Sequence, residues 1–420
     1  MLNSKIAARF QLSFAVLFVS FIPVQVYANA GYYEGQSLPT IFNQTIFADQ
    51  RGVIANDGLD DASSLQEIID SIDIDNPESN LIRILLPAGE IILNQEVHVD
   101  RSGIVIEGRG SDPESGTKIV ARSWKPYGIA SDNSPDFDSK YWPGFAVFRA
   151  ETREKHPKEP AYEGSANFHW KHSIELTRPA SMGKDTLAIN KSVEDNFSVG
   201  DVVYVGAAND DAFLDLSGVP DERRDASHIQ TGHMRTQLFL VTAIDPLLDE
   251  ITLDKALEFD VPIQNESRGY DSRVMPVTAV KNVGFRHFYL TLDPVGTACE
   301  GLNREPFSQS NPDGVGHRYL NLCPEDAIHG IIFKFVHNAF VEDVRMEMMG
   351  SHPVVTEHAK NITFLDNHID GAWNKGAGGN GYFRGSKLYD SLISGNYIVN
   401  IRHLSLQWSA TGNVVENNYF

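Results

Sequence analysis

Asn361-Ile362-Thr363-Phe364-Leu365-Asp366-Asn367-His368-Ile369 returns as Leu392-Ile393-Ser394-Gly395-Asn396-Tyr397-Ile398 and again as Val414-Val415-Glu416-Asn417-Asn418-Tyr419-Phe420. The asparagines are separated by 29 and 22 residues, and Phe364, Ile393 and Val415 each stand three positions before one of them. Short apolar-alternating runs at such a period predict a parallel β-solenoid, in which equivalent positions of successive rungs form columns. Phe364/Ile393/Val415 and Ile369/Ile398/Phe420 are expected to point inward, and His368/Tyr397/Tyr419 outward. Asn367, Asn396 and Asn418 are expected at a bend, each amide bonding the asparagine above and below. One rung earlier the asparagine position falls on Val344, while Val341 and Met346 keep the two apolar columns.

Working outward, the first thirty residues read as a secretory signal. Lys5 and Arg9 precede an apolar run from Leu12 to Val24, and Ala28-Asn29-Ala30 supplies small residues for cleavage. No later stretch is apolar and long enough for a membrane helix. A secreted or periplasmic protein, without a membrane partner and monomeric, is therefore expected. Loss of Lys5 and Arg9 moves the formal charge of the 420-residue chain from −21 to −23, which argues against a nucleic-acid partner. Cys299 and Cys323 are the only cysteines. In an oxidising compartment a disulfide between them is expected, contributing roughly 3 kcal/mol, with two separate buried thiols as the alternative.

Residues 31–120 read as an N-terminal cap and first rungs. Ala62, Leu65, Ile68, Ile69 and Ile72 fall on one helical face behind a Ser63/Gln66 capping box, and a helix there would cover the open end of the solenoid. Short strands broken by Gly and Pro follow. Residues 121–280 form an insertion. Within it, 121–180 shows no period, and 196–262 alternates like a small antiparallel β subdomain. Rungs resume over 281–420 and stop within a rung at Phe420, so the sequence is expected to be a fragment.

Gly52 with Asn56-Asp57-Gly58-Leu59-Asp60-Asp61, then Leu86-Pro87-Ala88-Gly89, then Ile106-Glu107-Gly108-Arg109-Gly110 with Thr117-Lys118-Ile119 carry a family resemblance. In these residues the chain resembles the pectate-lyase-like family of right-handed parallel β-helix proteins. The resemblance implies an all-β fold with an N-terminal capping helix, and it is shared by pectin-degrading enzymes, other glycanases and phage tailspikes. Asp57, Asp60 and Asp61 read as turn and cap residues.

Charge locates a candidate site. Between Gly371 and Val415 lie Lys375, Arg384, Lys387 and Arg402, with His403 beside them and Asp390 opposing. A positive window in an acidic chain can focus an acidic polymer; the competing reading is a solvated basic face. With Leu404 and Leu406 inward, His403, Ser405 and Gln407 form an outward polar row. The glycine-rich stretch Gly371 to Arg384 carries Trp373, Asn374, Lys375 and Tyr382, with Trp373 or Tyr382 as a flat face for a sugar ring.

These residues suggest β-elimination on a uronate-containing polysaccharide, which needs the carboxylate neutralised, a base for the C5 proton and a donor at the leaving oxygen. Arg384 and Arg402 are assigned to the carboxylate, Lys387 or His403 to the proton, and Trp373, Asn374 and Gln407 to the sugar. A lysine among cations has a lowered pKa and suits a base. A glycoside hydrolase using Glu357, Asp366 or Asp370 is the alternative, and a carbohydrate-binding solenoid the second. The Arg-x-Pro-x-x-Arg pattern of pectate lyases and the Gly-His-Gly pattern of polygalacturonases are both missing, so no catalytic residue is carried over. Glu347 and Asp370, stacked on neighbouring rungs, could hold Ca²⁺ or act as the acid and base of a glycosidase.

Overall fold

The computed structural model describes residues 30–73, 80–122, 145–152, 174–224, 233–266, 269–293, 328–373 and 381–420, with the backbone of 155–156 and 159–163. The expected signal segment before Ala30, both cysteines, and Asn374 and Lys375 lie outside the described residues.

Alternating apolar residues close the chain into a coil whose strands, among the described residues, form one seventeen-stranded sheet. Residues 354–357, 359–360, 363–365 and 368–372 make one turn with four faces. The next turn lies over it in parallel register, with Val355 opposite Arg384, Ala359 opposite Leu388, Phe364 opposite Ile393 and Ile369 opposite Ile398. Leu404–Gln407, Val414–Glu416 and Tyr419 extend the stack. Toward the N-terminus, Val341 lies on Phe364 and Met346 on Ile369, as the apolar columns require.

Phe364 and Ile393 are buried, whereas Val415 is 41% exposed because no rung stacks on it among the described residues. Burying such a side chain contributes about 1.5–3 kcal/mol. The corners are turned by residues with positive φ, and Asn282, Asn338 and Asn361 occupy equivalent corners of three successive rungs. Short polar side chains tolerate that conformation. Gly395 turns another corner at φ 70°, where a Cβ would come within 2.1 Å of Asp366 Oδ1.

Helix Ala62–Asp70 buries Ala62, Leu65, Ile68 and Ile69 against the first rungs. The Ser63/Gln66 capping box is not formed. Asp61, not Ser63, stands at the N-cap, Ser63 accepts from Gln95 (3.1 Å), and Gln66 accepts from the backbone N–H of His98 (2.8 Å). Asp60 accepts from the N–H groups of Ala62 and Asn94, and Asp61 from that of Ile54, so both carboxylates serve turns.

The chain leaves the coil after Ala146–Ala150 and returns at Val280. Between them lies a six-stranded antiparallel sheet built from Ile174–Glu175, Thr186–Ala188, Val202–Ala207, Arg235–Asp245, Glu250–Leu253 and Arg273–Val277. One face has its own core around Val203, Val205, Phe239 and Ile251. The other packs Val202, Tyr204, Leu238 and Met275 against Phe335 and Tyr389 of the coil. Buried ions reinforce this seam: Lys360 Nζ lies 2.5 Å from Asp390 and 3.0 Å from Asp254. No described helix is long and apolar enough to cross a membrane.

Candidate functional site

The first face of the coil carries most of the expected site residues. Pairing of Phe383–Ser386 with Leu404–Gln407 puts Phe383 and Leu404 in the core, so Arg384 and Ser405 face outward. Ser405 Oγ donates to Gln407 Oε1 (3.0 Å), and Gln407 Nε2 donates to Ser386 Oγ (3.1 Å). The outward row is thus real from Ser405 to Gln407, and Gln407 is fixed at both ends of its amide.

At the corner before this face, aromatic rings form a column. His329 stacks on His352 at 4.7 Å, His352 meets Tyr382 edge-on at 4.6 Å, and Tyr382 stacks on His403 at 4.7 Å. The Arg402 guanidinium lies 5.9 Å from the Tyr382 ring centre. Ring nitrogens tie the column to the backbone: His329 Nδ1 accepts from His352 N–H, and His352 Nδ1 from Tyr382 N–H. Burial drives the His352 imidazole well below its ordinary range, aided by His329 and Arg384. Desolvation, then Arg402, lowers His403, which leaves it neutral near pH 7. Arg384 is drawn down to about 10 by burial, low for a guanidinium but still cationic at neutral pH.

Three assignments change. Trp373 is no sugar platform: it is buried in the core, and its Nε1 donates to the Leu292 carbonyl (3.1 Å). An apolar ring near the end of a rung gains more from the core than from water. Tyr382 is also buried, with His403 on its face, so a sugar cannot stack there. Lys387 Nζ lies 2.6 Å from Glu357 Oε1, and this ion pair removes it from the free bases. Arg402, His403 and Trp408 are exposed, Trp408 beyond the strand with φ 57°.

Glu357 is buried on the first face, and its Oε2 has no hydrogen-bond partner. Asp366 is exposed at a corner, and Asp370 lies on the fourth face, where Asn400 donates to it (2.7 Å). These three carboxylates therefore do not assemble into one acid/base pair. Glu347 and Asp370 do meet, as register partners on adjacent rungs.

An ion ladder escaped the sequence reading. On the first face Glu96 pairs with Arg149 (2.8 Å), Arg149 with Glu151 (3.1 Å) and Glu151 with Lys334 (2.8 Å). Lys334 stands opposite Glu357, the partner of Lys387. The charges alternate in sign along the face from Glu96 to Lys387. The 30-residue separation of Glu357 and Lys387 is one rung and was the available signal.

No family model matches the chain, and no curated protein matches it. Among solved structures it is similar to a tailspike protein of Pseudomonas phage LKA1, at 12% identity and a TM-score of 0.47, over 84% of this chain and 46% of that one. It is also similar to a putative glycosyl hydrolase from Parabacteroides merdae, at 7% identity and a TM-score of 0.39, over 89% of this chain and 96% of that one. A Family 28 exopolygalacturonase from Yersinia enterocolitica matches at 10% identity and a TM-score of 0.28, over 84% of this chain and 54% of that one. The chain spans about half the length of the tailspike. The motif-bearing strands Ile82–Leu85, Ile104–Glu107 and Thr117–Arg122 take their places as stacked parallel rungs of the coil.

Proposed function

We propose that the protein cleaves an acidic, uronate-containing polysaccharide by β-elimination on the first face of its last two rungs. The observation that carries this reading is the convergence of Arg384, Arg402 and His403 around Tyr382. Arg384 and Arg402 hold the substrate carboxylate and make the C5 proton acidic. The neutral His403 imidazole takes that proton, the C4–oxygen bond breaks, and the departing oxygen gains a proton from solvent. The product carries a C4–C5 double bond conjugated with the carboxylate. Ser405 and Gln407, locked to each other and to Ser386, position the sugar. Tyr382 acts as a positioning residue under His403.

A second reading rests on Glu357, whose buried Oε2 lacks a hydrogen-bond partner: a hydrolase with Glu357 as acid or base. In either case the protein works outside the cytoplasm as a monomer. Helix Ala62–Asp70 serves as the cap of a right-handed coil, and the six-stranded sheet as its side domain. The test is incubation with acidic and neutral polysaccharides while ultraviolet absorbance and reducing ends are followed together. Both signals rising supports the lyase, reducing ends alone support the hydrolase, and neither leaves a binding solenoid.

A further inference from the structure

Glu347, His368 and Asp370 bring one donor atom each to within 4.8 Å of one another on the fourth face. Glu347 and Asp370 are register partners, and His368 lies two residues before Asp370, so strand alternation turns all three to one side. Each is oriented from outside the group. Glu347 Oε2 accepts from the Tyr289 hydroxyl (3.0 Å), Asp370 Oδ1 accepts from Asn400 (2.7 Å), and the His368 ring stacks on Tyr397 at 4.9 Å. Such outer contacts are what fix ligands around a metal.

His368 Nε2 is shielded from solvent and has no hydrogen-bond partner. Glu347 Oε1 is 3.9 Å away, too far to be one. A tetrahedral ion with bonds of about 2.1 Å spans roughly 3.4 Å between two donors, so side-chain closure of about half an ångström for the His368–Glu347 pair, and of no more than about 1.4 Å for any pair, seats it. Arg345 also reaches Glu347 Oε1 at 2.5 Å, with its side chain 37% exposed, and a bound cation would take its place on that oxygen. Two acids alone indicate Ca²⁺, which takes six to eight oxygens; an imidazole in the set selects an ion that accepts nitrogen.

We propose that Glu347, His368 and Asp370 bind one divalent transition ion of the zinc class. The site is on a different face from Arg384 and His403 and does not depend on the activity assigned to them. The test is calorimetric titration of the tag-free, chelator-treated full chain with Zn²⁺ and separately with Ca²⁺, supported by the visible spectrum with Co²⁺. The expected result is one Zn²⁺ per chain, weakened about tenfold or more in His368→Asn and in Glu347→Gln, with Ca²⁺ binding more weakly and Co²⁺ giving an absorption band that both variants lose. Zn²⁺ binding that is absent, or equal in wild type and variants, overturns the proposal, as does tighter binding of Ca²⁺. Should His368→Asn fail to fold for want of its Tyr397 stack, Glu347→Gln and Asp370→Asn carry the same test.

Discussion

Two columns cross the same rungs and behave differently. In one, Asn367, Asn396 and Asn418 repeat a single residue: Asn396 Oδ1 accepts from the backbone and side chain of Asn367 at 2.9 and 2.8 Å, and Asn418 Oδ1 does the same for Asn396. In the other, Val355, Arg384 and Ser405 share a register position and nothing else. A buried bend poses the same hydrogen-bonding problem on every rung, so the same side chain solves it each time. An outward position poses no such problem. Loss of repetition there, combined with the half-buried cation Arg384, is the feature on which the proposed chemistry draws.

The largest effect expected from this contrast is on stability inside the coil. Ile393→Ala leaves a cavity between Phe364 and Val415 and should cost about 2–5 kcal/mol. Tyr397→Ala, on the outer column, should cost less. Denaturant midpoints read the difference, and a larger loss at Tyr397 would mean that inside and outside have been exchanged. Next comes Asn396→Ala, which leaves the Asn367 N–H and the Phe364 carbonyl without their partners and should cost about 1–3 kcal/mol. Ser405→Ala, in the unrepeated column, should fall near zero. Equal losses at the two positions would remove the distinction between the columns.

Buried imidazoles give a graded test. Burial, with Lys360 and Lys281 nearby, pushes His337 down to about 3, and it stays neutral in the folded chain while the unfolded chain protonates near its ordinary value. Below about pH 6.5 the unfolded state therefore binds more protons, and stability falls with pH by up to about 1.4 kcal/mol per unit, until about pH 3. His352 and His358, also held low by burial, act in the same direction. His337→Asn should flatten this slope in denaturation at pH 5 against pH 7; an unchanged slope would show that His337 is not a contributor.

The two columns also explain how much was legible. The apolar columns and the asparagine bends were readable because alternation and period act on neighbouring residues. Trp373 and Tyr382 were misread because a glycine-rich stretch looks alike whether its rings face a ligand or the core. The outcome depended on Leu292 and His403, far away in the chain. The Lys387–Glu357 pair was missed because charge was summed along the sequence instead of one rung apart. The ladder from Glu96 to Lys334 crosses the inserted sheet, which destroys any fixed spacing.

The smallest structural change carries the main functional claim. Arg402 and His403 are exposed, so alanine at either should leave the denaturant midpoint in place. The decisive measurement is the initial rate of ultraviolet absorbance on an acidic uronate polymer for wild type, Arg402→Ala and His403→Ala. Wild type should show a rate that rises with pH as His403 loses its proton, with a midpoint below the ordinary histidine value, and each variant a loss of more than about tenfold, roughly 1.4 kcal/mol of transition-state stabilisation. For His403→Ala the loss should fall on turnover and not on binding. Variants as fast as wild type, or absorbance that never rises while reducing ends accumulate, would contradict it and move the chemistry to Glu357.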